Sequence, residues 1–244
     1  WVNAKGRASV RELAARFAVS EVTIRADLGF LDDRRLLVRS RGAALASTPL
    51  ARELSLPEKH EENRALKRRL GEAVAGLIGE HERIVLDSGT TTEEVAVALR
   101  AHIELIVMTN GLNVANALVS APHVELMCTG GLLRKKSLSF HGAHAERTLR
   151  QHHFDKVVLG VDGFDLELGV TTHFEPEASL NRAMCEVAEH VIAVTDSSKF
   201  GRRGLHIVCP VAKLHTLVTD SGIPTGYREG LESRGVRVIV VAAQ

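Results

Sequence analysis

Seven short, nearly continuous apolar runs recur between Ile84 and Val241: Ile84–Leu86, Leu105–Met108, Val124–Met127, Val157–Val161, Val191–Val194, Thr216–Val218 and Val238–Val241. Helical stretches alternate with them, near Glu93–Ala101, Leu112–Ser120, Gly142–Gln151, Glu177–His190 and Gly226–Arg234. A strand that is apolar at every position has both faces covered, and helical crossovers are what a parallel sheet requires. The pattern predicts an α/β fold built on a mostly parallel sheet with helices on both faces. At 244 residues, 45% of them apolar and 25% charged, the chain can bury a sizeable core and carry a second, smaller domain. Such a composition excludes a disordered or fibrous chain. No apolar run reaches the roughly 18 residues of a membrane span, and Trp1 onward carries no secretory leader. Three cysteines (Cys128, Cys185, Cys209) are too few for a disulfide framework or a cysteine-based zinc site. These features predict a cytoplasmic protein with no membrane partner, metal or cofactor.

The net charge of +1 hides an asymmetry: residues 1–45 hold nine Lys/Arg against five Asp/Glu, and the remainder is mildly acidic. A basic head on an acidic body points to a polyanion-binding unit fused to something else. Within the head, Ser9 and Glu12 have capping-box spacing before a helix with Val10, Leu13, Ala14 and Phe17 on one side. Ser20 can cap a second helix from Glu21 to about Arg34, whose Ile24, Leu28 and Leu31 define its buried face. Leu36–Gly42 reads as a strand running into a basic turn. Helix, tight turn, helix and basic hairpin make a winged helix-turn-helix.

The outward face of the second helix carries Val22, Ala26, Gly29 and Asp33, with Thr23 and Arg25 at its margins. Small outward residues let a helix lie deep in a major groove, where Arg25 can read a guanine edge and Val22 a thymine methyl. Arg39 and Arg41 on the wing would hold the phosphate backbone or reach the minor groove. Ser20, Val22, Thr23, Arg25, Ala26, Arg39 and Arg41 are therefore the candidate DNA contacts, and double-stranded operator DNA the candidate partner. The competing reading, a small helical cap whose charges face water, fits each feature singly but not their combination.

The segments Val19–Leu28 and Leu36–Ala43 resemble the DeoR family of bacterial transcription regulators. Two positions depart from the family pattern: many members have a second arginine at Ala26, which alters the bases read, and a second wing glycine at Ala43. The family's first helix would precede Gly6, and with only Trp1–Lys5 before it the head reads as truncated.

The body carries a second signal. In an open α/β sheet, ligands bind outside the carboxyl ends of the strands. Here those ends read Asp87-Ser88-Gly89-Thr90-Thr91-Thr92, Thr109-Asn110-Gly111, Thr129-Gly130-Gly131, Asp162-Gly163 and Asp196-Ser197-Ser198-Lys199. Five small, hydroxyl- or glycine-rich ends in succession suggest one shared polar pocket. Ser88–Thr92 is its best anion site, because Gly89 permits close backbone approach and the next helix offers free N–H groups. A plain helix cap explains that stretch equally well, and Glu93 and Glu94 would repel a phosphate they faced. The same body resembles the DeoR effector domain, a relative of the ribose-5-phosphate isomerase fold that senses phosphorylated sugars. The resemblance implies that Ser88–Thr92 hold the phosphate and that Asp87, Thr109, Asn110, Gly130, Gly131, Asp162 and Lys199 line the sugar. Met108–Leu118, Gly130–Gly142 and Asn181–Ala188 resemble family members controlling amino-sugar utilisation. They imply an amino-sugar phosphate or a tagatose phosphate as effector.

The expected organisation is thus residues 1–45 as an incomplete winged helix-turn-helix, 46–57 as a linker, and 58–244 as a sugar-phosphate-sensing domain that opens on a helix from about Lys59 to Ile78. The expected function is a repressor of a sugar or amino-sugar operon, acting as a homo-oligomer. The alternative is a sugar-phosphate isomerase or deaminase, for which Asp162, Asp165 or Glu177 would be the base. A body that only oligomerises is a third reading. Twelve histidines do not make a metal site here, since His141/His144 and His152-His153 lack partners at ligand spacing.

Overall fold

The computed structural model describes residues 7–33, 38–40, 43–45 and 56–242. The chain divides into two compact units, residues 1–53 and 54–244.

In the first unit, strand β1 (Arg7–Ser9) leads into helix α1 (Val10–Phe17) and helix α2 (Glu21–Asp33), followed by β2 (Val38–Ser40) and β3 (Ala43–Leu45). The strands form an antiparallel sheet in the order β1-β3-β2. β1 has no counterpart in the sequence reading, which placed only a strand and turn after the helices; three residues carry too short a pattern to show. The capping box forms as spaced, with Glu12 N donating to Ser9 Oγ at 3.1 Å and Ser9 N to Glu12 Oε2 at 2.7 Å. α1 ends at Ala18, whose φ of 52° turns the chain. Thr23 N then donates to Ser20 Oγ at 3.1 Å, capping α2. Ala8, Val10, Leu13, Ile24 and Leu28 are buried together. Phe17 departs from expectation: at the last position of α1 it projects past this small core and is 56% exposed.

The second unit contains a seven-stranded, all-parallel sheet made of the seven apolar runs: β4 (Arg83–Leu86), β5 (Leu105–Thr109), β6 (Val124–Cys128), β9 (Phe154–Gly160), β12 (Ala188–Val194), β14 (Thr216–Asp220) and β15 (Arg237–Val241). Their order is β15-β14-β12-β9-β4-β5-β6. Alternate residues feed two cores. Ile84, Leu86, Val158, Ile192 and Val194 pack under helices α4 (Arg64–Ala75), α5 (Thr90–Leu99) and α6 (Leu112–Leu118). Val85, Val157, Leu159, Val191 and Ala193 pack on the opposite face, with helices α7 (Ala143–Arg150), α8 (Glu175–Glu186) and α9 (Thr225–Glu232). Among the described residues no helix is long and apolar enough to cross a membrane.

The structure corrects several boundaries. The expected helix from Lys59 to Ile78 is two helices, α3 (Leu56–Glu61) and α4, separated by Asn63 at φ 53°. Asparagine tolerates that left-handed conformation better than most residues. Pro57 sits in the first turn of α3, where a missing N–H costs nothing. The helix expected over Glu177–His190 stops at Glu186, because Ala188–Val194 pair along their length with β9. Two small antiparallel sheets were not foreseen: a hairpin of β7 (Leu132–Arg134) and β8 (Ser139–His141), and a sheet of β10 (Gly163–Asp165), β11 (Gly169–Thr172) and β13 (His206–Cys209).

α4 crosses α5 closely because Gly71 has no side chain: a Cβ there would stand 2.6 Å from the Glu94 carbonyl carbon. Gly71→Ala therefore forces the helices apart. The expected cost is about 1–3 kcal/mol of overpacking strain, a loss of roughly 2–12 °C in Tm for a unit of this size. An unchanged melting temperature would contradict this packing.

Candidate functional site

The strand order fixes where the site must lie. From β4 the chain winds outward through β5 and β6, then returns to β9 on the other side of β4. Crossovers therefore leave β4 and β9 in opposite directions, which opens a crevice at their carboxyl ends. Asp87 follows β4 there and Asp162 follows β9. Gly160, the last residue of β9, faces Asp87 and Ser88: a Cβ on it would lie in ordinary contact, 3.6 Å from Asp87 Oδ2 and from the Ser88 carbonyl oxygen.

Three carboxylates converge at this point. Asp87 is 3% exposed and accepts the Ser88 N–H on Oδ1 at 2.6 Å, with further donors from Gly160 N–H and the Asn181 side chain. Burial pushes its carboxyl up to about 7, against those hydrogen bonds and with help from the charge of Asp162. Glu177, on α8, accepts the Thr172 hydroxyl at 2.8 Å and is pushed up to about 8 by burial, then by Asp162 and Asp87. Asp162 goes the other way. Burial opposes its ionisation, but the Lys59 ammonium at 2.7 Å, with Lys199 and His173 beyond, holds it below the usual carboxylate range. Lys67 closes the cluster: it donates to the Lys59 carbonyl oxygen, and burial together with Lys199 lowers its pKa. Asn181 Oδ1 is buried with no hydrogen-bond partner.

The expected anion cradle lies beside this cluster. Gly89 has φ 143°, a conformation that favours glycine, and immediately precedes α5. Ser88 and Thr91 are half-buried and Thr90 is buried. Thr92 is already engaged, its hydroxyl donating to the Gly89 carbonyl at 3.2 Å. Glu93, which could have repelled an anion, is held by Asn113 Nδ2 at 2.6 Å and His60 Nε2 at 3.2 Å. A cavity of about 730 Å³ opens next to it, lined by residues that include Leu56, His60, Glu93, Asn113 and Leu138.

The remaining expected site residues divide. Lys199, in a short turn after β12, lies within electrostatic reach of Asp162 and Lys67. Thr109 accepts the Gly111 N–H at 3.0 Å, and Asn110 is clamped by Phe140, whose N–H donates to its carbonyl at 2.7 Å. Both are fully buried, and their loop touches the cradle where Gly111 meets the Ser88 Cα. Gly130 and Gly131 follow the edge strand β6, and their nearest side-chain or backbone neighbours are His144, His141 and Ala145. They serve the turn into the β7–β8 hairpin, apart from the carboxylate cluster. Asp165 is likewise apart, holding the β10–β11 turn and Arg203 at 2.7 Å. Sequence reading missed Lys59, Lys67 and Asn181. Both lysines lie in a charged run that reads as a solvated helix face, and nothing local marks them as reaching a distant strand.

In the first unit Val22, Thr23, Arg25 and Ala26 are exposed, while Ile24 and Leu28 point inward. The Thr23 hydroxyl lies 2.8 Å from Ser20 Oγ, and Arg25 Nη2 lies 2.6 Å from Glu21 Oε2. Arg39 is on β2, paired with Ala44. Arg41, Leu36, Leu37, Gly42, Trp1–Gly6 and residues 46–55 lie outside the described residues.

A two-helix head with a three-stranded wing, followed by a doubly covered parallel α/β unit, defines a class of transcription regulator in which a sensor domain follows a DNA-binding one. The chain belongs to the DeoR family: residues 1–49 match the DeoR-like helix-turn-helix domain and residues 62–221 the DeoR C-terminal sensor domain. It is 50% identical to a protein of Escherichia coli O157:H7 named as an aga operon transcriptional repressor, over 97% of this chain and 89% of that one. It is 31% identical to the glycerol-3-phosphate regulon repressor of Escherichia coli K12, over 97% of this chain and 94% of the relative. Among solved structures it is similar to ribose 5-phosphate isomerase A of Neisseria gonorrhoeae, at a TM-score of 0.43 and 15% identity, over 57% of this chain and 54% of that one. These relatives by sequence are regulators, so the isomerase or deaminase alternative is set aside.

Proposed function

We propose that this chain represses a sugar or amino-sugar catabolic operon, and that a phosphorylated sugar at the β4/β9 crevice changes its affinity for operator DNA. In this reading residues 1–45 bind DNA through Ser20, Val22, Thr23, Arg25, Ala26, Arg39 and Arg41. Residues 58–244 bind the effector, with Ser88–Thr92 as phosphate cradle and Asp87, Asp162 and Lys199 on the sugar; Thr109 and Asn110 back the cradle from the neighbouring loop. The observation that carries the reading is the juxtaposition of a glycine-led helix N-terminus with the buried Asp87 and the half-buried Asp162 and Glu177 at the topological switch point. Hydroxyl groups donate to carboxylates and a phosphate accepts from backbone N–H groups and lysines, so the two halves suit the two ends of one sugar phosphate. The glycerol-3-phosphate regulon in one relative's name supports a phosphorylated effector; in this reading it is an amino-sugar phosphate or a tagatose phosphate, bound by a cytoplasmic homo-oligomer whose paired heads read repeated half-sites.

A thermal-shift screen tests this with galactosamine 6-phosphate, tagatose phosphates and their unphosphorylated counterparts. A ligand at 100 times its Kd adds about 2.7 kcal/mol, or roughly 5–11 °C. Selective stabilisation by one phosphosugar is expected; equal response to the unphosphorylated sugars would remove the cradle from the account.

The DNA half is tested independently. Arg25→Ala is expected to weaken specific duplex binding by about 1–3 kcal/mol. Its ion pair with Glu21 is exposed and spaced i, i+4, worth only about 0.3–0.5 kcal/mol, so the melting temperature should hardly move. Effector binding should not change. Intact sequence discrimination in the variant would rule out base contact by Arg25.

A further inference from the structure

α3 has six residues, too few to be stable alone. Its position is therefore set by what it touches. Leu56 N–H donates to the Lys136 carbonyl at 3.1 Å, in the β7–β8 turn. His60 Nε2 lies 3.2 Å from Glu93, in the first turn of α5. Lys59 reaches across 103 residues of sequence to Asp162 Oδ1, at 2.7 Å, and the two side chains are each only 26% exposed. Lys67, itself 5% exposed, holds the Lys59 carbonyl from below. The helix is thus fastened to three separate loops at the carboxyl edge of the sheet, and its central fastening ends in the candidate effector site. α3 is also the first described element of the second unit, so in sequence it is the element nearest the DNA-binding unit.

The chemistry of the pair is that of an occupied ligand position. Asp87 and Glu177 are pushed towards their neutral forms, whereas Asp162 is held ionised, and the Lys59 ammonium is the cation bonded to it. A sugar hydroxyl that donates to Asp162 Oδ1 takes the place that the Lys59 ammonium holds at 2.7 Å, so a ligand seated on that oxygen competes with α3 for it. Such competition supplies the differential interaction without which a ligand shifts nothing.

We propose that Lys59 is an internal stand-in for the effector: it holds Asp162 Oδ1 in the ligand-free protein, and a sugar phosphate whose hydroxyl takes that oxygen displaces it and loosens α3. The inference rests on the functional reading above and deepens it, by naming the residue through which occupancy reaches the segment leading to the DNA-binding unit.

Hydrogen exchange of peptides covering 56–61, on the full chain, reads the proposal directly. Galactosamine 6-phosphate at saturation is expected to speed exchange there by about tenfold, within the usual range of allosteric coupling. Inorganic phosphate, which can fill only the cradle, should leave it unchanged. Lys59→Met should exchange fast without ligand, bind the sugar phosphate at least as tightly as the unsubstituted chain, and lose the response of DNA affinity; Lys59→Arg should retain it. Slower or unchanged exchange on sugar binding would overturn the proposal, even if Lys59→Met failed to fold. So would a Lys59→Met protein that binds the sugar phosphate tenfold more weakly, which would make Lys59 a direct contact, or one whose DNA response is intact. Failure of galactosamine 6-phosphate and the tagatose phosphates to bind the unsubstituted chain would instead overturn the functional reading, and this inference with it.

Discussion

Thr90→Asp is expected to abolish the effector response while leaving DNA affinity largely intact. Thr90 is the first residue of α5, 5% exposed, directly after the Gly89 turn. An aspartate there places a carboxylate where the account seats a phosphate, beside the buried Asp87. Two anions about 4 Å apart in partly buried surroundings repel by roughly 4 kcal/mol, a loss on the order of a thousandfold in affinity. The helix itself should survive, since an acidic residue in a first turn favours the macrodipole. Isothermal titration with the stabilising phosphosugar, alongside circular dichroism of the variant, measures both halves. Unchanged sugar affinity in a folded variant would move the phosphate away from Ser88–Thr92.

Glu177→Gln is expected to stabilise the protein, and to do so only above acidic pH. Glu177 faces Asp162, Asp87, Lys59 and the Thr172 hydroxyl, and its pKa stands at about 8 in the folded protein. An unfolded glutamate titrates near 4.3. Between those values the native state binds a proton that the unfolded state has lost, so stability falls as pH rises from about 4.5 to about 8. Glutamine accepts the same Thr172 hydrogen bond without this linkage. The expected gain at pH 7.5 is roughly 2–4 kcal/mol, or about 4–16 °C in Tm, vanishing near pH 4. Parallel pH–Tm curves for the two proteins would show that Glu177 is not held protonated.

The sheet was legible because burial on both faces leaves a continuous apolar run, and all seven such runs became its strands. The head was legible through Ser9, Glu12 and Ser20, whose caps form at the positions their spacing implies. Short antiparallel strands such as Gly163–Asp165 were not, because three residues carry no measurable period. The break at Asn63 was hidden for a related reason: the helical pattern continues on both sides, and a single asparagine in the left-handed conformation leaves no mark on it.

The site shows the same division. Asp87, Ser88, Gly89 and Asp162 were legible as residues following strands because strand ends are marked by small and polar residues. The rule that finds strand ends does not say which of them are neighbours in space. Gly130 and Gly131 met the pattern yet follow the edge strand, whereas the half-buried Glu177 and the buried Asn181, at the crevice, come from a helix on the face of the sheet opposite the cradle helix. Charge alone misleads in a similar way. Lys59 and Lys67 look like solvated helix residues in sequence; Lys59 becomes the counter-ion of Asp162, and Lys67 the holder of the Lys59 carbonyl, only through a turn that the pattern conceals.

The most direct test of the central claim is the affinity of this chain for a duplex it has itself enriched from a random pool, measured by fluorescence anisotropy while galactosamine 6-phosphate or a tagatose phosphate is titrated in at fixed salt. The account predicts that one of these ligands changes the Kd for DNA by about 5–150-fold, and that the change disappears in Thr90→Asp. A phosphosugar that stabilises the protein yet leaves the DNA affinity unmoved at saturation would contradict it.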